Sequence, residues 1–274
     1  MKSIDMQKIS MFWIVVLLAM APNLSHADSV GFNRLYGELL TRYWRPAVRI
    51  QGINTTVFDY AQMKQDAQKP DSLFNRTLKA IEQVDPAQLQ GTDVAKAFWI
   101  NAYNFAAMRL VTDYYPVDSI RSLSISLTKY PWSKKAIRIG SHRYSLKQIE
   151  KEILLKQFKD PRIVFAVSCA AVSCPDIPSE PFDSERLGSQ LDATIRRFFA
   201  NPDKGLRLDR SRRTLTLSWI MKKDSRLFQD KQKGVLGFVL PYLDPDVRGW
   251  LNSNTVTINY FKHDWVLNDL AQAD

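Results

Sequence analysis

Phe98-Trp99-Ile100-Asn101-Ala102-Tyr103-Asn104-Phe105-Ala106-Ala107-Met108 is apolar on nearly every side. A surface helix keeps one polar face; a stretch without one must be covered all round, which predicts a helix buried at the centre of the fold. The helical pattern extends over residues 93–114, with Thr92 as its N-cap and Pro116 closing the segment after Tyr115. Asn101 and Asn104 are three apart and therefore neighbours on one face of that helix. Two amides in a dry helix must be hydrogen-bonded. They either tie a loop to the helix, the use favoured here, or orient a catalytic group.

Working outward, apolar positions recur at helical spacing over about 30–44, 57–66 and 71–83. Strand signals come later and are short. Ala136 to Ile139, Gly140-Ser141 and His142 to Tyr144 read as a hairpin. Ile163-Val164-Phe165-Ala166-Val167 suits a buried strand. Leu206 to Leu208 and Thr214 to Leu217 flank a turn at Arg210 to Arg212, a second hairpin, and Thr255 to Tyr260 alternates again. Helices fit Ser184 to Ala200 and Val235 to Leu243. A helix-rich first half followed by short antiparallel hairpins indicates an α+β fold in one compact domain.

The N-terminus carries Lys2 and Lys8, an apolar run from Met11 to Ala21, and small residues at Ser25 and Ala27. That is the pattern of a cleavable export signal over 1–27, with Asp28 as the mature N-terminus and a periplasmic or secreted destination. The run is too short to span a bilayer, which takes about 20 apolar residues, and no later segment reaches that length. Removing 27 of 274 residues leaves 247, enough for one sizeable core. A hydrophobic content of 45% excludes disorder. The chain carries +10, unevenly: from Arg196 to Lys233, twelve Lys or Arg face four Asp. A basic face of this kind is either simply solvated or meets an anionic cell-envelope component. Nothing in the chain carries a nucleic-acid-binding signature, and the sequence leaves the oligomeric state open.

Ser145 followed by Gln148 forms a capping box that fixes the start of a helix. On a helical wheel Glu150 then falls in the middle of the face made by Leu146, Ile149, Ile153 and Leu154. A carboxylate there is costly to bury without a partner. It is either a structural ion pair, with Arg162 as a candidate, or a site carboxylate. The mature protein has two cysteines, Cys169 and Cys174, just past the apolar run at 163–167. They could form a disulfide, or one could be a nucleophile needing a base. A metal site is poorly supported, because only His142 and His263 add to the ligand set beyond carboxylates. No cofactor is called for.

These residues resemble the domain of unknown function 547 family, from Ala97 to the C-terminus, with family-like residues over about 97–268. The likeness lies in Phe98 to Asn104, in Tyr115-Pro116-Val117-Asp118-Ser119-Ile120 and in Ser145 to Glu150. It continues in Asp160-Pro161-Arg162-Ile163, in Cys169 through Ser173-Cys174-Pro175, and in Asp264-Trp265-Val266-Leu267-Asn268. Members of that family usually carry a His after the glutamate, where Lys151 stands, an Arg at Leu155 and a His at Val164. If the family is a thiol enzyme, the resemblance implies a Glu–His pair acting on the Cys of the Cys-Pro dipeptide, as in papain-like or transglutaminase-like sites. Here Glu150 and Cys174 are present and both family His positions are not. Lys151, with an ordinary pKa of ~10.4, is a poor substitute for imidazole. His142 and His263 align with neither position and are not expected at the site.

Two functions follow. A thiol-dependent acyl-transfer or hydrolytic enzyme would use Cys174, Glu150, and Asn101 or Asn104, but lacks a base. A non-catalytic or degenerate member would bind an anionic envelope component through residues such as Arg162, Arg212, Arg213, Lys222 and Lys223. The missing histidines tip the sequence toward the second.

Overall fold

The structure, a computed structural model, describes residues 24–89, 93–128, 130–229 and 234–274, of which 24–27 are described as backbone only. Most of the expected export signal, and Thr92 as N-cap, therefore lie outside the described residues. Among the described residues no helix is long and apolar enough to cross a membrane.

The order of elements is α1 (Leu24–Tyr43), β1 (Trp44–Ile50), β2 (Ile53–Phe58), α2 (Tyr60–Ala67), α3 (Leu73–Gln83) and α4 (Asp93–Tyr114). Then come β3 (Lys135–Ile139), β4 (His142–Ser145), a π-helical segment (Gln148–Leu155) that runs into α5 (Lys156–Phe158), and a 3₁₀ helix (Pro161–Phe165). The remainder is α6 (Leu187–Phe199), β5 (Leu206–Asp209), β6 (Thr214–Leu217), α7 (Trp219–Lys223), α8 (Val235–Val239), α9 (Pro245–Ser253) and β7 (Thr257–Tyr260). The fold is α+β, as the sequence predicts.

Helix α4 is the hub. Sixteen of its residues are buried, from Ala95 to Thr112, because α1, α2, β3 and the segment after β4 all pack against it. Its aromatic side chains meet those of α1 and α3: Phe105 lies 6.0 Å from Phe32 and 5.7 Å from Phe74, ring centre to ring centre. A second apolar cluster gathers α6, the β5–β6–β7 sheet and α7 to α9 around Phe165, Phe198, Leu215 and Met221. The run at 163–167 divides its side chains between the two, Ile163 and Ala166 facing the first and Val164 and Phe165 the second.

That run is not the expected strand. Pro161 begins a 3₁₀ helix and the Asp160 carboxylate accepts from the Arg162 N–H, a capped start that a strand would not use. A short run buried on both sides carries no period to separate the two forms. Three other differences have equally local causes. Residues 57–58 extend β2 instead of starting a helix, because Asp59 caps α2 one residue later, accepting from Gln62 N–H at 2.9 Å. The β1–β2 hairpin, unforeseen in the sequence, turns on Gln51 and Gly52, both at positive φ. β7 joins β6 in parallel, not as a hairpin, a pairing that its long connection through α7 to α9 permits. The capping box at 145–148 forms both of its bonds, 3.1 Å and 3.2 Å.

Asn104 ties the hub to the segment that leads to the cysteines. Its amide donates to the Ala166 carbonyl at 2.9 Å, and its carbonyl accepts from the Ser168 N–H at 2.9 Å. Asn104→Leu keeps the volume but leaves both backbone groups dry and without a partner. Each such group costs ~1–3 kcal/mol, so urea unfolding should show a loss of about 3 kcal/mol; a loss below about 1 kcal/mol would mean the segment is held by something else.

Candidate functional site

The cysteines stand in a loop fastened on three sides. Val172 N–H donates to the Val266 carbonyl at 2.9 Å, Asn268 N–H to Ala170 at 3.0 Å, and Asp264 N–H to the Ser173 hydroxyl at 2.9 Å. The late segment 264–268 therefore runs antiparallel along 170–173, with Ala171 opposite Leu267. On the other flank, the fully buried Lys204 ammonium donates to Val172 O, Thr55 Oγ1 and Asp176 Oδ1 at 3.1, 2.8 and 2.8 Å. Burial lowers the pKa of Lys204, with Asp176 opposing the shift. All three of its protons have acceptors, so its role is to clamp the chain on both sides of Cys174.

Cys169 and Cys174 are joined as a disulfide, with a sulfur separation of 2.05 Å. Cys174 is buried, and its Sγ lies 4.0 Å from Nε2 of His263. This corrects the expectation that neither His142 nor His263 reaches the site. His263 arrives because the pairing of 264–268 with 170–173 carries it there; His142 sits in β4, where its Nδ1 meets the Ser141 hydroxyl at 2.9 Å. The three groups Cys169 Sγ, Cys174 Sγ and one His263 nitrogen lie within 4.8 Å of one another, so the ligand set is better than the sequence suggested. Both sulfurs are engaged with each other, however, and a thiolate is what a metal would require.

The imidazole is held by aromatic rings, with centres 4.2 Å away at Trp265 and 4.9 Å away at Trp219. Burial pushes its pKa down to about 4, and the charges of Lys223 and Arg121 add to the shift against the pull of Asp264. His263 is therefore neutral near pH 7. Its Nδ1 is buried and has no hydrogen-bond partner among the described residues.

A cavity of about 50 Å³ opens beside the disulfide, with Tyr103, Glu150, Val164, Asp224 and His263 in its walls. It shares Trp132, Glu150, Trp219, Lys223 and Trp265 with an outer cavity of about 290 Å³, so the two form one recess. Glu150 is buried in it, but its carboxylate is paired with the Lys151 ammonium at 2.8 Å, not with Arg162 and not with the imidazole. Lys151 also reaches Asp224 at 3.0 Å. Burial opposes the lysine's charge, yet the two carboxylates outweigh it and raise its pKa, so it is no base.

The remaining candidates lie elsewhere. Asn101 holds Phe182 by two bonds, at 2.8 and 3.0 Å, and Asn104 holds the 166–168 backbone; neither lines the recess. Arg162 is paired with Asp160 and Asp192 at 2.8 and 2.9 Å and does not line the recess. Arg212 and Arg213 sit in the exposed β5–β6 turn, Lys222 lies 6.0 Å over the Tyr260 ring, and of the basic set only Lys223 lines the recess. His263, Trp219 and Asp224 were missed as site residues, and Trp265 was seen only as part of the Asp264–Asn268 motif. That motif, with His263 directly before it, was the sequence signal for the pair.

The imidazole leaves a signature in the pH dependence of stability. Its folded pKa, about 4, lies below the ordinary value near 6.5, so between these values the unfolded chain binds the extra proton. Stability should be fully present above about pH 6.5 and fall by roughly 3 kcal/mol toward pH 4 from this group alone. His263→Leu should flatten that part of the curve; an unchanged difference between pH 7 and pH 4.5 in urea unfolding would place the ring in water instead.

Residues 86–199 match the model of a protein family described as protein of unknown function, DUF547. No curated protein and no solved structure matches the chain. The motif at 264–268 lies beyond the matched span in sequence, although in space it pairs with the cysteine loop inside it. Lys151 and Val164 both line the recess. The matched segment, which supplies the buried helix, the recessed carboxylate and both sulfurs, is similar to the DUF547 family of proteins of unknown function.

Proposed function

We propose that this protein is a thiol-dependent acyl-transfer or hydrolytic enzyme, with Cys174 as nucleophile and His263 as its base, latent while the Cys169–Cys174 disulfide is closed. The observation that carries this reading is the neutral, desolvated imidazole 4.0 Å from Cys174 Sγ at the closed end of a recess. A thiol enzyme needs a base at that place, and the sequence had offered none.

The chemistry balances as follows. An external dithiol opens the disulfide, supplying two electrons and two protons and becoming a disulfide itself. Cys174 then gives its proton to His263 Nε2 as its sulfur attacks a carbonyl carbon. The new carbon–sulfur bond replaces the bond to the leaving amine or alcohol, which takes the proton back from His263. Water, or a second amine or alcohol, then attacks the thioester; His263 accepts its proton and returns it to Cys174. Asn104 and Lys204 are positioning residues that hold the loop. Glu150, paired with Lys151, is assigned to the wall of the recess and not to orienting the imidazole. The same reading places the enzyme outside the cytoplasm, where an export signal over 1–27 would send it. An intact mass lacking those residues checks that part.

A second reading, a binding protein without turnover for an anionic envelope component, is favoured by the disulfide itself, which leaves neither sulfur as a thiol. Turnover of a reactive ester such as para-nitrophenyl acetate separates the two. Wild type should act only after reduction, Cys169→Ser should act without reductant, and Cys174→Ala should not act at all. His263→Ala should lower kcat/KM by ~10²–10⁴-fold, the usual worth of a general base. Undiminished turnover in Cys174→Ala sinks the enzyme reading.

A further inference from the structure

We infer that the outer half of the recess binds an anionic substrate that carries a flat ring, with the ring on the tryptophan wall and the negative charge at the mouth. This deepens the thiol-enzyme reading, on which it rests for the reaction but not for the binding.

The wall is a continuous aromatic surface. Tyr130 and Trp132 have ring centres 5.4 Å apart, Trp132 and Trp265 also 5.4 Å, and Trp265 and Trp219 6.0 Å. These rings come from three separate parts of the chain, and none of the three tryptophans is fully buried. Large aromatic faces left facing a cavity favour a planar or apolar partner, because offset or edge contacts between rings add to area burial. At about 290 Å³ the outer cavity is at the lower end of the range for small-molecule sites, ~300–1,000 Å³. The inner cavity of about 50 Å³ has room for little more than a carbonyl group beside the sulfur.

The charge around this surface is lopsided. Arg121, Lys147, Lys151 and Lys223 line the outer cavity, and across both halves the carboxylates are Glu150 and Asp224. Four cations against two carboxylates leave the recess positive. Glu150 is paired with Lys151, and Asp224, which lines only the inner cavity, is shared between Lys151 and Lys223. Lys147 is exposed and has no carboxylate within salt-bridge distance among the described residues. Arg121 lies 4.9 Å over the Trp265 ring and Lys223 lies 5.8 Å over Trp219. Cations stationed at the ring faces place positive charge directly beside a bound planar group. An anion is then attracted at the mouth and a cation repelled.

Three probes with one ring and three charges test this: naphthoate, naphthamide and naphthylmethylammonium. Calorimetric titration into the oxidised full chain, purified without reductant, measures binding where no turnover can occur. Naphthoate should bind about tenfold more tightly than naphthamide, and the ammonium most weakly. Raising the salt concentration should narrow the gap. Lys147→Gln with Lys223→Gln should abolish the preference for the acid while keeping affinity for the amide. Equal binding of acid and amide, tighter binding of the ammonium, or no binding of any probe overturns the inference. Loss of turnover in the reduced enzyme with this binding pattern intact would instead overturn the thiol reading and leave the ligand class standing.

Discussion

One amide on a buried helix sets the geometry on which everything else depends. From Ala97 to Met108 helix α4 has no solvent face, so polar groups there must be matched inside the protein, and Asn104 is matched by the backbone at Ala166 and Ser168. That fixes the chain at the point where it leaves the 3₁₀ helix and enters the cysteine loop. Because Ile163 and Val164 point into different apolar clusters, the same short run also joins the two halves of the molecule. Loops normally run over the surface because their backbone groups need water. This one is largely buried instead, and polar groups of Ala170, Val172 and Ser173 are answered by particular neighbours.

Those neighbours explain why the site exists at all. Lys204 closes the loop from one side and the 264–268 segment from the other. A buried ammonium is unfavourable unless its protons are accepted, and here carbonyl, hydroxyl and carboxylate accept all three. The result is a rigid cradle in which one sulfur, one imidazole and a set of aromatic rings face the same space. Burial in that cradle disfavours the charged imidazolium and keeps His263 neutral.

Much of the scaffold was legible because its signals are local. The all-round apolar pattern located α4 at 93–114, the bounds seen in the structure, and the capping box located the start of the helical segment bearing Glu150. Gly140 at positive φ made the β3–β4 turn readable. The β1–β2 hairpin was missed although Gln51-Gly52 sits between apolar, β-branched flanks; the helical spacing over 57–66 masked the end of β2. Ile163 to Val167 was misread because a segment buried on every side shows no period. His263 was out of reach for another reason. It stands 89 residues from Cys174, and only a backbone pairing between two irregular segments brings it close.

That separation has a consequence for the order in which the molecule comes into being. The sulfur and the imidazole belong to segments made at very different times, and nothing local in either would hold them together. A chain still being synthesised can carry the cysteine loop, Lys204 and the buried helix before His263 is near the sulfur. Strand β7 and the stretch behind it must first emerge, cross the sheet edge and lie down along the loop. The arrival of that final stretch is thus the step that brings sulfur, imidazole and aromatic rings to face one space.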